Sequence, residues 1–585
     1  MEKSMTDKLV LNDVFKQSTH DLDKTLPPEE TVRRFKDRIA QLNLHILDEV
    51  VRIDNGRLGI PVYMSYCGPD AETVTGTRKQ MGKGATPEQA EASAVMELGE
   101  RFSFFSYYHN PGNFIIDTCE NLKDRALSFK AVARSVHDTS EDRDQARKIF
   151  ESLPLRWARG YSLTEDKPIL IPFDWFFTIN EFNGACAGNC VEEALNQGIC
   201  EVVERHVSSV VSRGRLNVPG IQPDSVSDPV VREMIEKFKR AGVRIHLSDF
   251  SLDTGIPTVG VLAWDPETFP EKSEIVWTAG TTPNPQKALC RALSETAQLG
   301  GDFNSGSNFL ASGLPKFTDI DEARYITRPE ATLTIDALPD LSHNNLKIEI
   351  LNLLSALSRH DMNVLAVDVT HEKLGIPAFY TIIPGAHFRE RAEGGSVGMF
   401  CAKLIAEKNP APVAIMTLME VEHRLPDKYY IQFYLGTAYL EMGETETALT
   451  CFQKSLDLNP EPQDVPSIYS FMGVCLKDLE RYQDALTVLE KGIRRDPTRT
   501  DLYNLKGFCH FKLKQHEQAI ESFKAVLRID PGSAIDYANI AVNYRDMGNT
   551  EQAIFYFQMA LSLDSSIDFA RDGLEKLLSG TKHSQ

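Results

Sequence analysis

NGACAGNCVEEALNQGICEVVERH, residues 183–206, passes from a glycine-broken loop into an apolar helix that carries several acids and no base before Arg205. Asn189 is placed to cap that helix, and Glu192 three residues on completes a capping-box pattern. Glu201 and Glu204 stand at i,i+3 and are neighbours on the helix surface, while Glu193 lies two turns back near the same stripe. All three are set among Ala194, Leu195, Ile199, Val202 and Val203. A solvated helix would interleave such carboxylates with lysines. Like charges at this spacing repel, so the pattern requires a neutralising partner, and a divalent cation held by oxygen ligands fits.

The same arrangement occurs upstream in GKGATPEQAEASAVMELGERF, residues 82–102. Thr86 caps, Pro87 takes the first helical position and Gln89 completes the box; Ser93, Glu97, Glu100 and Arg101 follow. A third helix is read in GTTPNPQKALCRALSETAQ, residues 280–298, capped by Asn284, with Arg291, Glu295 and Gln298 at i, i+4 and i+7 on one face. In each helix the first glutamate of the polar patch follows its cap by 11 or 12 residues. Three capped helices bearing acid, amide and arginine at one depth are suited to converge on a polyphosphate.

These stretches resemble the YcaO family, ATP-dependent enzymes that activate backbone amides of peptides. The similarity rests on GKGATxxxAxxSAxxExxER, NGxxAGNxxEEAxxxGxxEVxER and ALxRALSExAQ. It extends to Lys24 with PPEETVRRF, LGIPVY at 58–63, the W…G…PILIP run over 157–172, and LGIP…IIPG between 374 and 385. It covers about residues 20 to 410. The resemblance implies an ATP and Mg2+ site. Glu97, Glu100, Glu193, Glu201 and Glu204, with Glu295, would hold the metal, and Arg205, Arg291 and Glu295 would act on the phosphates. Lys24, Thr31, Ser93, Arg101 and Gln298 would contact the nucleotide.

The 585 residues are 42% hydrophobic and 25% charged, with a formal net charge of −20. That acidity argues against nucleic acid as a partner. No run approaches the ~18 apolar residues of a membrane span, and the charged N-terminus is not a secretory signal. The ten cysteines include no C-x-x-C, and Cys186 and Cys190, the closest pair, lack nearby ligands; small buried thiols in a reduced, cytoplasmic protein are expected. GTRKQMGKGAT is not a Walker-type phosphate loop: five residues separate Gly76 from Gly82, and Gly84 stands where its Ser or Thr would be. DFS at 249–251 has no accompanying His-Arg-Asp loop and carries no kinase signal.

The expected organisation is a loosely ordered N-terminus (1–22) and an α+β domain over 23–412, with a surface insertion at about 110–155. An all-α region over 425–580 follows. Period decides the last region. Leu435-Gly436…Tyr439…Ala448…Phe452, Tyr469…Gly473…Ala485…Pro497, Tyr503…Gly507…Ala519…Phe523 and Tyr537…Ala541…Ala553…Phe557 match the tetratricopeptide pattern. They define units at about 429–462, 466–499, 500–533 and 534–567. Stacked units form a solenoid with a groove for a peptide or partner protein, or serve architecture and homodimerisation.

The resemblance implies activation of a peptide or protein amide by O-phosphorylation. The chain continues into repeats instead of the proline-rich end of azoline-forming members, and no peptide-clamp domain is fused to it, so azoline formation is disfavoured. Thioamidation, often with a TfuA-type partner, and service as an accessory factor to a β-methylthiotransferase of a ribosomal protein both remain open. A non-catalytic nucleotide-sensing adaptor is the competing class. It is disfavoured because every expected acidic and basic position is filled.

Overall fold

The structure, a computed structural model, describes residues 8–17, 24–270, 272–303, 317–388 and 395–581. The chain forms two compact units, one of residues 1–139 and 151–397, the other of 140–150 and 398–585.

Three sheets and their helices build the first unit. Leu47–Arg52, Val62–Cys67 and Lys79–Lys83 form a three-stranded antiparallel meander. A five-stranded sheet runs in the order Val276–Thr281, Thr258–Trp264, Arg244–Asp249, Gly220–Ile221, Thr332–Leu333, antiparallel except for the last pair. A six-stranded antiparallel sheet contains Phe114–Asp117, Leu155–Ser162, Leu365–Asp368, Ala378–Ile382 and Ala185–Ala187, with Lys167–Pro172 also paired to Leu155–Ser162. The strands Thr258–Trp264 and Val276–Thr281 are buried along their whole lengths, which explains their unbroken apolar and small-residue runs. Antiparallel pairing without alternating βα units gives the expected α+β architecture. Within the stretch 110–155, Phe114–Asp117 is an edge strand of the six-stranded sheet.

The three capped helices are Pro87–His109, Val191–Gly214 and Pro285–Gly300. Thr86 forms the full capping box with Gln89, and the Asn284 side chain accepts from the backbone N–H groups of Gln286 and Lys287, both as the sequence predicts. The cap of the second helix is a correction. Cys190 takes that position, its Sγ accepting from the Glu193 N–H at 3.4 Å, because Asn189 is engaged elsewhere: its Nδ2 donates to Glu193 Oε2 and its Oδ1 accepts from Thr31 Oγ1. Glu192 does not close a box; its carboxylate accepts from the Asn12 N–H.

Two glycines set how closely the first and third helices approach their sheets. A Cβ on Gly82 would lie 2.0 Å from Ala94 N, and one on Gly280 would lie 2.3 Å from Ala288 O, so strand and helix meet at backbone distance. Of the N-terminal stretch expected to be loosely ordered, residues 1–7 and 18–22 lie outside the described residues, but 8–17 is anchored. Lys16 N–H donates to Asn344 O, and Lys16 Nζ forms a 2.5 Å ion pair with the buried Glu349.

In the second unit, helices Tyr429–Glu441 to Thr550–Leu563 form four antiparallel pairs, preceded by Ala411–Arg424 and closed by Asp568–Thr581. Gly436, Gly473 and Gly507 lie against Phe452, Leu489 and Phe523 of their partner helices, the small-on-large contacts that the repeat pattern encodes. Among the described residues no helix is long and apolar enough to cross a membrane.

Candidate functional site

The capped helices present their polar faces to one cavity of about 770 Å³. With the second cap at Cys190, the spacing becomes uniform: Glu97, Glu201 and Glu295 each stand eleven residues after Thr86, Cys190 and Asn284. Seven residues after the caps come Ser93, Gln197 and Arg291, and fourteen after come Glu100, Glu204 and Gln298. One helical register, used three times, brings acid, amide and guanidinium to a common depth.

Of the thirteen residues singled out in the sequence, every one except Glu204 lines the cavity. Glu204 stands behind the wall, where its carboxylate accepts from the Thr281 N–H at 3.0 Å and lies 3.6 Å from Arg291 Nε and 3.9 Å from Arg205 Nη1. Glu193 lines the cavity but is already engaged. Its Oε1 accepts from Thr25 N and Thr25 Oγ1 at 2.5 and 2.6 Å, and its Oε2 from Asn189 N and Nδ2 at 2.8 and 3.0 Å. These four bonds fix the chain beside Lys24 and leave Glu193 with a scaffolding geometry rather than the open carboxylate expected of a metal ligand.

Charge in the cavity is unevenly distributed. Burial, followed by repulsion from Glu201 and Glu97, raises the Glu100 carboxyl well above its ordinary range against the pull of Arg101. Glu204 is raised for the same first reason, with Glu295 adding to it. Burial pushes Glu295 upward too, but Lys83, Arg205 and Arg291 outweigh it and hold this carboxyl below its usual value. Arg101, Arg205 and Arg291 are held firmly as cations, the surrounding carboxylates outweighing burial. Arg101 also stacks on Phe182, its guanidinium carbon 4.1 Å from the ring centroid.

Three of the cavity residues that sequence reasoning did not place there are Lys83, Gln197 and Cys186. Lys83 ends the strand Lys79–Lys83 and pairs with Glu295 at 2.6 Å, an approach made across 212 residues of sequence. Gln197 was legible only once the second cap is moved to Cys190. Cys186, expected to be a buried thiol, is buried, but it also donates to Glu201 Oε2 at 3.1 Å and lines the cavity. Burial and the carboxylates Glu201 and Glu100 keep it protonated.

The donor set fits ATP with Mg2+. Arg101 Nη1 and Arg291 Nε are buried donors that lie 3.0 Å from Glu100 Oε1 and 3.6 Å from Glu204 Oε2 without hydrogen-bond geometry, which suits them to phosphate oxygens. Glu97, Glu100, Glu201 and Glu295 supply hard oxygen donors. Among the described residues no three acids, histidines or cysteines form a ready cage. Magnesium is commonly held by one or two carboxylates together with substrate phosphates.

A mixed α+β fold with a cavity lined by carboxylates and arginines at three helix faces suits a polyphosphate ligand, and comparison with known proteins gives the family. Residues 81–387, more than half of the chain, match the family model described as YcaO cyclodehydratase, ATP- and Mg2+-binding, and the chain belongs to the YcaO family. Residues 424–537 match the tetratricopeptide domain of cytochrome c-type biogenesis protein H, and 537–567 match a tetratricopeptide repeat. An uncharacterized protein of Methanothermobacter thermautotrophicus is 27% identical over 385 residues, covering 61% of this chain and 93% of that one. The ribosomal protein S12 methylthiotransferase accessory factor YcaO of Escherichia coli is 26% identical over 348 residues, and the chain spans 56% of that protein's length. A heterocyclase solved in complex with substrate and cofactor shares the fold, with a TM-score of 0.54, 21% identity, and coverage of 65% of this chain and 55% of that one.

Proposed function

We propose that this chain uses ATP and Mg2+ to activate a backbone amide of a peptide or protein, leading to thioamidation or a related modification. The observation that carries the reading is the triple register: three helices deliver Glu97, Glu201 and Glu295 to one cavity at the same distance from their caps. Bound ATP with Mg2+ supplies the phosphoryl group that turns the amide oxygen into a leaving group. The protein's own contribution is positioning and charge. Glu97, Glu100, Glu201 and Glu295 hold the cation side of the nucleotide, and Arg101, Arg205 and Arg291 take the phosphate oxygens. Arg205, Arg291 and Glu295 would act on the phosphate that is transferred. Lys24, Thr31, Ser93 and Gln298 complete the nucleotide contacts. Glu193 holds the Lys24–Thr25 segment, and Glu204 orients Arg291.

The tetratricopeptide unit recruits the substrate or a partner, of TfuA or methylthiotransferase type. The free cysteines and the absence of a membrane-crossing helix among the described residues support a cytoplasmic setting. Substitution of Glu201 by Gln abolishes ATP hydrolysis in the presence of Mg2+ and substrate while leaving the circular dichroism spectrum unchanged; hydrolysis at the wild-type rate would sink the assignment. A second reading, favoured by the name of the Escherichia coli relative, makes the chain a non-catalytic nucleotide-binding accessory factor for β-methylthiolation of a ribosomal protein. Nucleotide binding without hydrolysis in the presence of candidate peptides favours it.

A further inference from the structure

Lys83 is a cavity residue that the nucleotide reading leaves without a task. It stands at the end of a strand pinned against the first helix by Gly82, with only Gly84 and Ala85 between it and the Thr86 cap. Its Nζ lies 2.6 Å from Glu295 Oε2, with side-chain exposures of 20% and 10%. The three arginines of the cavity are planar forks suited to phosphate oxygens, whereas a lysine ammonium is a compact point charge on a flexible stem. At Glu295 that charge sits against a hard oxygen donor, as a bound cation would.

We propose that Lys83 is a tethered counter-ion that holds the place of a cation at Glu295, and that a divalent ion entering the cavity displaces it. This rests on the amide-activation reading only in taking Glu295 as a metal ligand. Glu295 cannot be fully neutralised by both cations without excess positive charge, so metal alone binds weakly. Nucleotide phosphate gives the displaced ammonium a new partner, which makes metal and nucleotide bind cooperatively. The counter-ion thus guards the cavity against metal without nucleotide and keeps a buried carboxylate paired when it is empty.

The test is titration of the full chain with Mn2+ in the absence of nucleotide, followed by electron paramagnetic resonance, for the wild type, Lys83→Gln and Lys83→Arg. Lys83→Gln is expected to bind Mn2+ about tenfold more tightly than wild type, to melt lower without metal, and to recover with Mn2+, while Lys83→Arg stays close to wild type. Affinity in Lys83→Gln within about twofold of wild type, or weaker, overturns the proposal. Reductive methylation of the wild-type chain gives a reading independent of that variant's folding. Labelling of Lys83 rises at saturating Mn2+ if the ion pair opens, and unchanged or reduced labelling counts against displacement. Failure of the wild type to bind ATP with Mn2+ removes the amide-activation reading, whereas loss of the Lys83→Gln effect alone removes only the counter-ion.

Discussion

Glu193 shows how a residue's type is legible before its task. Its place in the acidic stripe suggested a metal ligand, yet four hydrogen bonds fill both of its oxygens. Glu193→Gln loses the charge assistance of those bonds, and a fall of about 2 kcal/mol in unfolding free energy is expected in urea titrations. Equal urea midpoints for the two proteins would contradict the scaffolding role. A second residue-scale expectation concerns the stacked histidines 137, 206 and 387, with ring centroids 3.7 Å apart for 137 and 387, and 5.3 Å for 206 and 387. Burial, then the like charges of neighbouring histidines and, for His137, Arg213 and Arg134, lower both His137 and His206 to about 4, with Asp253 opposing at His206. The unfolded chain binds protons at these residues near pH 6.5 and the folded chain only near pH 4. Stability is therefore fully present above pH 6.5 and declines as pH falls through that window. Thermal melts between pH 7 and 4 are expected to show the loss, and His137→Asn, whose side chain tolerates the left-handed backbone at φ 51°, reduces it while His206 retains its share.

At the scale of elements, the site depends on caps and close approaches. Thr86 satisfies the first turn of a helix whose middle carries Glu97 and Glu100, and Thr86→Ala costs about 1 kcal/mol. Gly82→Ala is more damaging because its Cβ meets backbone, at Ala94 N and Ala90 O, and backbone cannot give way as a side-chain tip can. A loss of about 3 kcal/mol or more is expected, together with weakened ATP binding, since the strand also delivers Lys83. Calorimetry of both variants checks the ordering; equal losses would mean that the strand and helix slide apart freely. Caps at Thr86 and Asn284 were legible because capping is decided by residues a turn apart. The cap at Cys190 was not, since Asn189 is diverted by Thr31, 158 residues away.

For the whole molecule, two compact units predict more than one unfolding transition. Gly507→Val forces a branched side chain against Phe523, where even a Cβ would lie 2.7 Å from the ring. It is expected to lower the transition of the repeat unit and to leave ATP-induced stabilisation of the other unit intact. A common shift of all transitions would show that the units unfold as one.

The sequence by itself determined the α+β fold followed by tetratricopeptide repeats, the family, and twelve charged or polar residues that line the cavity, because hydrophobic period, caps and small-on-large contacts are written in local spacing. Tertiary structure decided which partner each charged side chain meets. Glu193 is engaged by Thr25 across 168 residues, Glu204 is turned toward Thr281 and Arg291, and Lys83 reaches Glu295 across 212. Charges of opposite sign find one another in space once the helices are packed, and nothing in the spacing along a chain records which partner each will meet.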